Sequence, residues 1–204
     1  MTFTLRLIAD RLQPGARLSL PPTPRVLYER ERGAILSMGA AVLGVAVETS
    51  ILRFELVRGG EMSATALGKI ESRLVLEHVM ELEAARAWLM RCDRVDFAPG
   101  GVALPHGHRG GGIRCLLTGT LDVAVGEAPS RLMRPGDAWF ESGREPVLAK
   151  ASAETPTAFI RVSVLPAEIR GQSSIVYVDP ADAARGRPRQ YTVYVDEPIE
   201  LPER

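Results

Sequence analysis

Residues 105–114 of the chain read Pro-His-Gly-His-Arg-Gly-Gly-Gly-Ile-Arg and hold two of the three histidines in the sequence. Successive side chains of a β-strand point to opposite faces, so His106 and His108 are expected to share a face. Two imidazoles on one face supply half of a transition-metal site. The stretch therefore predicts a β-strand that carries functional side chains.

The surrounding sequence also favours strands. Short apolar runs separated by glycine and proline are typical of an all-β sandwich or barrel. Residues 68–90 are ambiguous, since they fit an amphipathic helix or two strands at 74–82 and 88–97. Their position among strand signals favours the two strands.

The composition excludes several classes of protein. The 204 residues include 25 basic and 25 acidic side chains, so neither a nucleic-acid partner nor an acidic membrane partner is indicated. Cys92 and Cys115 lie in apolar runs, which is typical of small buried thiols and not of a disulfide framework.

Two observations bear on localisation. The N-terminus has no hydrophobic block of a signal peptide. The most apolar segment, residues 33–47, is shorter than the roughly 20 residues that a membrane-spanning helix needs. We expect a soluble, cytoplasmic protein with reduced cysteines.

An internal repeat predicts two related β units. Residues 12–15 (Leu-Gln-Pro-Gly) resemble residues 97–100 (Phe-Ala-Pro-Gly), and each tetrapeptide precedes a strand-like run. Later in each unit an arginine stands third in a similar apolar run, as Arg53 and Arg161. The first unit is shorter between these markers and has no histidine, so only the second is expected to hold a site.

Residues 99–108 (Pro-Gly-Gly, four residues, His-x-His) and 135–143 (Pro-Gly-Asp-Ala-Trp-Phe-Glu-x-Gly) resemble the two sequence motifs of the cupin superfamily. The resemblance covers about residues 90–165. It implies an all-β fold, a cupin-type antiparallel β-barrel (jelly roll), with the site inside the barrel mouth, and it implies a homodimer. Together with the repeat it implies a bicupin, with two tandem barrels or half-barrels of which the first is degenerate.

These features predict four segments. Residues 1–65 form the degenerate N-terminal unit, and residues 66–90 form connecting strands or a helix. Residues 91–168 form the barrel with the histidines, and residues 169–204 form a C-terminal strand pair that packs on the barrels.

The sequence also departs from the family pattern. The glutamate that usually follows four residues after the second histidine is replaced by Gly112, and Pro146 and Val147 occupy the neighbourhood of the usual third histidine. Only two metal ligands are carried over, to His106 and His108.

A third ligand is required for a defined metal site. Glu141, on the strand of the second motif, is the best candidate, and His78 is a weaker one. Two histidines and one carboxylate suit divalent iron, manganese, nickel or zinc, with open positions for substrate. The alternative is that His106 and His108 form hydrogen bonds in a polar pocket without metal.

Arg114 shares a strand face with Gly112 and is expected to point inward. A buried guanidinium needs a carboxylate partner or an anionic ligand. Arg114 therefore either pairs with Glu141 or binds a substrate carboxylate. Pairing with Glu141 would remove the third metal ligand. The third alternative is that Arg114 is a surface arginine. Trp139 is expected to line the pocket or to pack in the core.

These residues predict a metal-dependent cupin that acts on a small, carboxylate-bearing molecule by oxygenation or isomerisation. Glu141 would serve as the third ligand or as the acid/base, and Arg114 would anchor the anion. The alternative is a metal-free binding or sensing cupin without catalytic activity, so the sequence leaves open whether the protein is an enzyme. No serine–histidine–aspartate pattern is indicated.

Overall fold

The computed structural model describes residues 1–59, 64–185 and 189–202. Its regular structure consists of β-strands and two short 3-10 turns, Ala167–Ile169 and Pro180–Ala184. Antiparallel pairing links the strands into four sheets, which confirms the predicted all-β antiparallel fold. Within these ranges, no helix has the length and apolar character needed to cross a membrane.

The chain divides into two compact units. The first comprises Met1–Trp88 together with the residues from Glu197 onward, and the second comprises Leu89–Asp196. The predicted boundaries at residues 65, 90 and 168 differ from this division.

The first unit contains two antiparallel sheets. Its strands in the described chain are β1 (Thr2–Leu12), β2 (Arg17–Leu20), β3 (Arg25–Glu29), β4 (Gly33–Ser37), β5 (Ala41–Gly44), β6 (Thr49–Val57), β7 (Thr65–Leu67) and β8 (Ile70–Glu81). One sheet has the order β4-β3-β6-β1-β8, and the other has the order β5-β2-β7. The ambiguous residues 68–90 thus contain strand β8, which pairs with β1 and belongs to the first unit.

The second unit contains two five-stranded sheets. Its strands are β9 (Trp88–Phe97), β10 (Val102–His108), β11 (Gly112–Thr118), β12 (Leu121–Val125), β13 (Arg131–Met133), β14 (Ala138–Glu141), β15 (Val147–Ala151), β16 (Thr157–Pro166), β17 (Ile175–Tyr177) and β18 (Arg189–Ile199). The sheet orders are β14-β11-β16-β9-β18 and β13-β12-β15-β10-β17. The expected C-terminal strand pair is therefore divided, because β17 and β18 extend different sheets.

The two units have the same strand order once the β12–β13 hairpin is set aside. The order β4-β3-β6-β1-β8 corresponds to β14-β11-β16-β9-β18, and β5-β2-β7 corresponds to β15-β10-β17. The hairpin occupies the place of residues 30–32, which form the short turn between β3 and β4. The shorter first unit noted in the sequence is therefore the unit that lacks this hairpin.

The repeated Pro-Gly tetrapeptides form matching turns. Ala16 N donates to Gln13 O, and Gly101 N donates to Ala98 O, each at 3.0 Å. Gly15 and Gly100 have φ angles of 79° and 74°, which glycine adopts without steric cost. The repeat in the sequence thus marks the same local structure in both units.

The repeated arginines also have matching partners. Arg53 on β6 contacts Asp10 on β1 through Nε and Nη2, at 2.6 and 3.1 Å. Arg161 on β16 contacts Asp93 on β9 in the same two-point manner, at 2.8 and 2.5 Å. Each pair is buried, so each charge requires the other, and the pair fixes neighbouring strands of one sheet.

The core of the second unit lies between its two sheets. Inward side chains alternate along the strands, as at Leu121 and Val123 of β12, which are 0% and 3% exposed. The other members of this buried cluster are Val95, Phe97, Ala103, Leu116, Met133, Trp139, Val147, Ala149 and Phe159. Strand β16 is buried along its whole length.

Gly112 lies against β16 with no room for a side chain. A Cβ atom at this position would come within 2.4 Å of the Val162 carbonyl oxygen and 2.5 Å of Ser163 Oγ. The glutamate that the family usually has here cannot be accommodated without moving β16. The close approach of the two strands explains the glycine.

We predict that Gly112→Ala lowers the free energy of unfolding by about 1–3 kcal/mol, the usual cost of overpacking. Gly39→Ala is the matched control, because a Cβ atom at Gly39 meets no atom within 4 Å. Urea unfolding followed by circular dichroism measures both. Equal stability of the two variants would contradict the packing described for β11 and β16.

Candidate functional site

A small cavity in the second unit brings together all five predicted site residues. His106, His108, Arg114, Trp139 and Glu141 line it. Arg161, Arg189 and Tyr191 complete its polar wall. About 20 Å³ of the cavity is open to the centres of water molecules, which is room for one or two waters or a very small ligand.

The two histidines lie on the same face of β10, as the alternation predicts. Their ring centroids are 4.9 Å apart and the rings are nearly perpendicular. His106 Nδ1 lies 2.6 Å from the Leu104 carbonyl oxygen, so this nitrogen carries the proton and donates. His108 Nδ1 lies 3.4 Å from Ser174 Oγ, and its Nε2 lies 3.3 Å from Glu141 Oε2.

Burial keeps both imidazoles neutral. It lowers the pKa of His106, and it lowers the pKa of His108 to about 3 despite the nearby Glu141 carboxylate. A base with so low a pKa is a poor proton acceptor at neutral pH. The Ser174–His108–Glu141 contacts therefore do not make Ser174 an activated nucleophile; they orient the His108 ring.

Glu141 is held by three neighbouring side chains. Trp139 Nε1 donates to its Oε1 at 2.8 Å, while Arg114 Nη2 and His108 Nε2 lie 2.7 and 3.3 Å from its Oε2. Burial by itself would raise the pKa of Glu141, but Arg114 and His108 outweigh that effect and hold it well below its usual range. Glu141 is thus a fixed carboxylate and is poorly suited to act as an acid.

Strand register brings Arg114 and Glu141 together. In the β11–β14 pair, Gly112 lies opposite Glu141 and Arg114 lies opposite Trp139. The Arg114 side chain is 1% exposed, and its Nη1 donates to the Gly112 carbonyl at 2.6 Å. Of the alternatives left open by the sequence, the structure shows the inward arginine paired with Glu141. Burial lowers the pKa of Arg114 to about 10, so it remains charged at neutral pH.

Two buried guanidinium nitrogens of the cavity wall lack a hydrogen-bond acceptor within the described ranges, Arg114 Nη2 and Arg189 Nη2. The close approach of Arg114 Nη2 to Glu141 is an ionic contact whose angle does not make a hydrogen bond. An unpaired buried donor is costly, and Arg189 Nη2, which unlike Arg114 Nη2 has no carboxylate beside it in the described chain, indicates a missing acceptor. Both nitrogens belong to residues that line the same cavity.

The first unit contains a buried arginine whose nitrogens all have hydrogen-bond acceptors. Arg25 is 0% exposed, and it donates to Glu55 Oε1, to the Gly39 carbonyl and to the Pro21 carbonyl. All three of its nitrogens have acceptors within the protein. A buried arginine in this chain can therefore have an acceptor for every nitrogen, whereas Nη2 of Arg189 in the second unit has none.

The predicted metal centre does not fit the structure. No group of three or more histidine, cysteine, aspartate or glutamate side chains in the described residues is arranged to hold a metal ion. Glu141, the expected third ligand, faces the Arg114 guanidinium, whose positive charge opposes a divalent cation at the same place. His78, the weaker candidate, is exposed on β8 of the first unit. The Arg114 guanidinium thus lies beside the carboxylate that was expected to be the third metal ligand.

Three cavity residues were not predicted from the sequence. Arg161 was noted only as a repeat marker, whereas Arg189 and Tyr191 belong to β18, far along the chain from the histidines. Arg189 Nε donates to the Tyr191 hydroxyl, and its guanidinium carbon lies 6.0 Å from the Phe97 ring centroid. The alternation Arg189-x-Tyr191 was the available signal, since it places both side chains on one strand face.

Comparisons with known proteins assign no family. No protein-family model and no curated protein matches the sequence. A cupin 2 conserved barrel domain protein from Leptotrichia buccalis is similar in structure at TM-score 0.42 and 11% identity, over 80% of this chain and 89% of that one. AerE from Microcystis aeruginosa is similar at TM-score 0.39 and 12% identity, over 80% of this chain and 88% of that one. A putative glyoxylate-induced protein from Pseudomonas aeruginosa is similar at TM-score 0.44 and 14% identity, over 79% of this chain and 74% of that one.

We predict that the buried histidines make stability pH-dependent. As the pH falls from about 6.5, unfolded chains take up a proton on His108, whereas the folded protein does so only near its pKa of about 3. The folded state therefore loses stability as the pH falls, by at most about 1.4 kcal/mol per pH unit for each such histidine.

Replacing His108 by glutamine removes one titrating group and should reduce this slope between about pH 6.5 and 4.5. His78→Gln, on the exposed face of β8, is the control and should retain the slope of the unmodified protein. Urea unfolding at a series of pH values measures the effect. An unchanged slope in His108→Gln would show that His108 does not stay neutral in the folded protein.

Proposed function

We propose that the protein is a cupin-type β-barrel protein that binds a small monoanion, such as a short carboxylate, in the cavity of its second unit without a metal ion. The unpaired Nη2 group of Arg189 carries this proposal, because the other two guanidinium groups of the cavity wall, those of Arg114 and Arg161, face carboxylates. A carboxylate supplies two acceptor oxygens and suits the planar donors of a guanidinium. Binding would satisfy donors that the described protein leaves without acceptors.

The charge of the cavity supports an anion. Three guanidinium groups, of Arg114, Arg161 and Arg189, face two carboxylates, Glu141 and Asp93, and both histidines are neutral. One positive charge remains, and it resides on Arg189, which pairs with no carboxylate in the part of the chain that the structure describes. A monoanion neutralises it, whereas a divalent cation would increase the imbalance.

The volume of the cavity limits the ligand. With about 20 Å³ open to water centres, the site accommodates a ligand of a few non-hydrogen atoms. Its walls combine the polar groups with Phe97, Leu121 and Phe159, so a short apolar chain next to the anionic group is compatible with the lining. Such a small ligand binds weakly, because the best small ligands gain about 1.5 kcal/mol per non-hydrogen atom.

The proposal includes no catalytic step. Glu141 is fixed as a carboxylate by Arg114, and His108 is too weak a base at neutral pH. The predicted oxygenation or isomerisation depends on a metal centre that these residues do not form. Of the functions considered from the sequence, the geometry favours the metal-free binding module.

We also propose that the chain is a bicupin, with two related barrels of which only the second has the site. Arg53 lies opposite Leu27 as Arg161 lies opposite Arg114, so Leu27 is the counterpart of Arg114. By the same register, Ile35 replaces Trp139 and Ser37 replaces Glu141. The first unit would then be a duplicated barrel that has lost the polar side chains of the site.

We predict that acetate binds to protein from which metals have been removed with a chelator, with a Kd in the millimolar range. Acetamide, which has a similar shape but no charge, should bind much more weakly. Arg189→Met should reduce the affinity for acetate at least about tenfold, since hydrogen bonds to charged groups contribute about 1.5–3 kcal/mol. Titration followed by NMR chemical shifts measures the affinities.

Arg131→Met changes an exposed arginine on β13 and is the matched control, with no expected effect on acetate affinity. Arg114 is best tested as Arg114→Met/Glu141→Gln, because removing Arg114 alone would leave an uncompensated buried carboxylate. Acetate binding that requires added zinc, manganese, nickel or iron would overturn the proposal in favour of a metal centre. Equal binding of acetamide would also overturn it.

A further inference from the structure

The most apolar segment of the chain is exposed. Residues 33–47 contain no charged side chain, and none of them is buried. Ile35, Val42 and Val47 are 62%, 66% and 61% exposed. Exposed apolar side chains concentrated in one uncharged segment indicate a candidate interaction site.

The segment also forms two sheet edges. Strand β4 is the outermost strand of one sheet, and β5 is the outermost strand of the other, pairing only with β2 within the described ranges. An edge strand directs alternate backbone N–H and C=O groups away from its sheet, where they are available to another strand. Residues 33–47 contain no lysine, glutamate or proline that would protect either edge from pairing with another strand.

The second unit shows what covers the equivalent edge. Strand β15 is the counterpart of β5, and it pairs on that side with β12, where Val123 lies opposite Ala149 and Val125 lies opposite Val147. The first unit lacks the β12–β13 hairpin, so the corresponding edge of β5 is left open. The occupant that fits this place in the fold is an antiparallel strand with apolar side chains.

We propose that the strand is β5 of a second copy of this chain, so that two β5 edges pair antiparallel in a symmetric dimer. With a two-fold axis perpendicular to the sheet at Val42, the outward-facing Val42 of one chain lies opposite Val42 of the other, and Ala41 lies opposite Leu43. No like charges meet, because residues 33–47 carry none. An antiparallel pairing of identical strands is self-complementary and closes at two copies. This assigns a surface to the homodimer that the family resemblance implies, and it is independent of the anion site.

The test places a charge on the edge. Val42→Lys adds a lysine to an exposed position, so the single chain should fold normally, but two copies would bring like charges together. Sedimentation velocity over a range of micromolar concentrations should show a dimer for the unmodified protein and at least about tenfold weaker association for the variant. Val42→Ile, which retains an apolar β-branched residue, should remain dimeric.

Val79→Lys on the edge strand β8 and Val193→Lys on β18 are matched controls. Both valines are exposed to a similar extent, 58% and 56%, and both variants should remain dimeric. A monomeric unmodified protein at all concentrations overturns the proposal, as does a dimer that survives Val42→Lys. Loss of the dimer in Val79→Lys but not in Val42→Lys also overturns it and places the interface on β8. Circular dichroism confirms that each variant is folded, and acetate titration of Val42→Lys shows that the anion site is unaffected.

Discussion

The buried ion pair between Arg114 and Glu141 determines the character of the second unit. Both side chains lie in the interior, where an isolated charge is costly, so neither is tolerated without the other. The pair places a fixed carboxylate beside His108 and a fixed guanidinium in the cavity wall. Trp139 donates to the same carboxylate, and Gly112 allows β16 to approach closely. The donor-rich cavity follows from this arrangement, whereas burial keeps the two histidines neutral.

The two units use buried charge in different ways. In the first unit, Glu55 lies among Arg6, Arg25 and Arg53, with contacts of 2.8, 3.1 and 2.9 Å, and the acceptors of Arg25 are all supplied by the protein. Such a saturated network holds strands in register and offers nothing to a ligand. In the second unit, the equivalent sheets leave two guanidinium nitrogens without acceptors. The same strand order thus supports a closed network in one unit and an incomplete one in the other.

Much of this organisation could be predicted from the sequence, because it rests on local rules. Strand alternation placed His106 and His108 on one face and allowed Arg114 to point inward, and the repeated Pro-Gly turns indicated two units. Short apolar runs predicted the all-β class, and the family resemblance implied the antiparallel barrel.

Features that depend on distant pairing were harder to predict. Glu141 was predicted to lie in the pocket from the second motif, but whether it faces a metal or Arg114 depends on the register of β11 against β14. Arg189 and Tyr191 reach the cavity only because β18 joins the sheet beside β9. The family pattern favoured a metal, and one arginine two residues beyond the missing glutamate is enough to reverse the electrostatics of the site.

The position of Trp139 gives the protein an intrinsic optical reporter. The chain has two tryptophans. Trp139 lines the cavity and its indole N–H donates to Glu141, whereas Trp88, the first residue of β9, donates to the Glu83 carbonyl and does not line the cavity. Indole emission responds to nearby charge and water, so an anion or water molecule that enters the cavity alters the fluorescence of Trp139. With Trp88 replaced by phenylalanine, the emission spectrum of the protein would report on the cavity of the second unit alone.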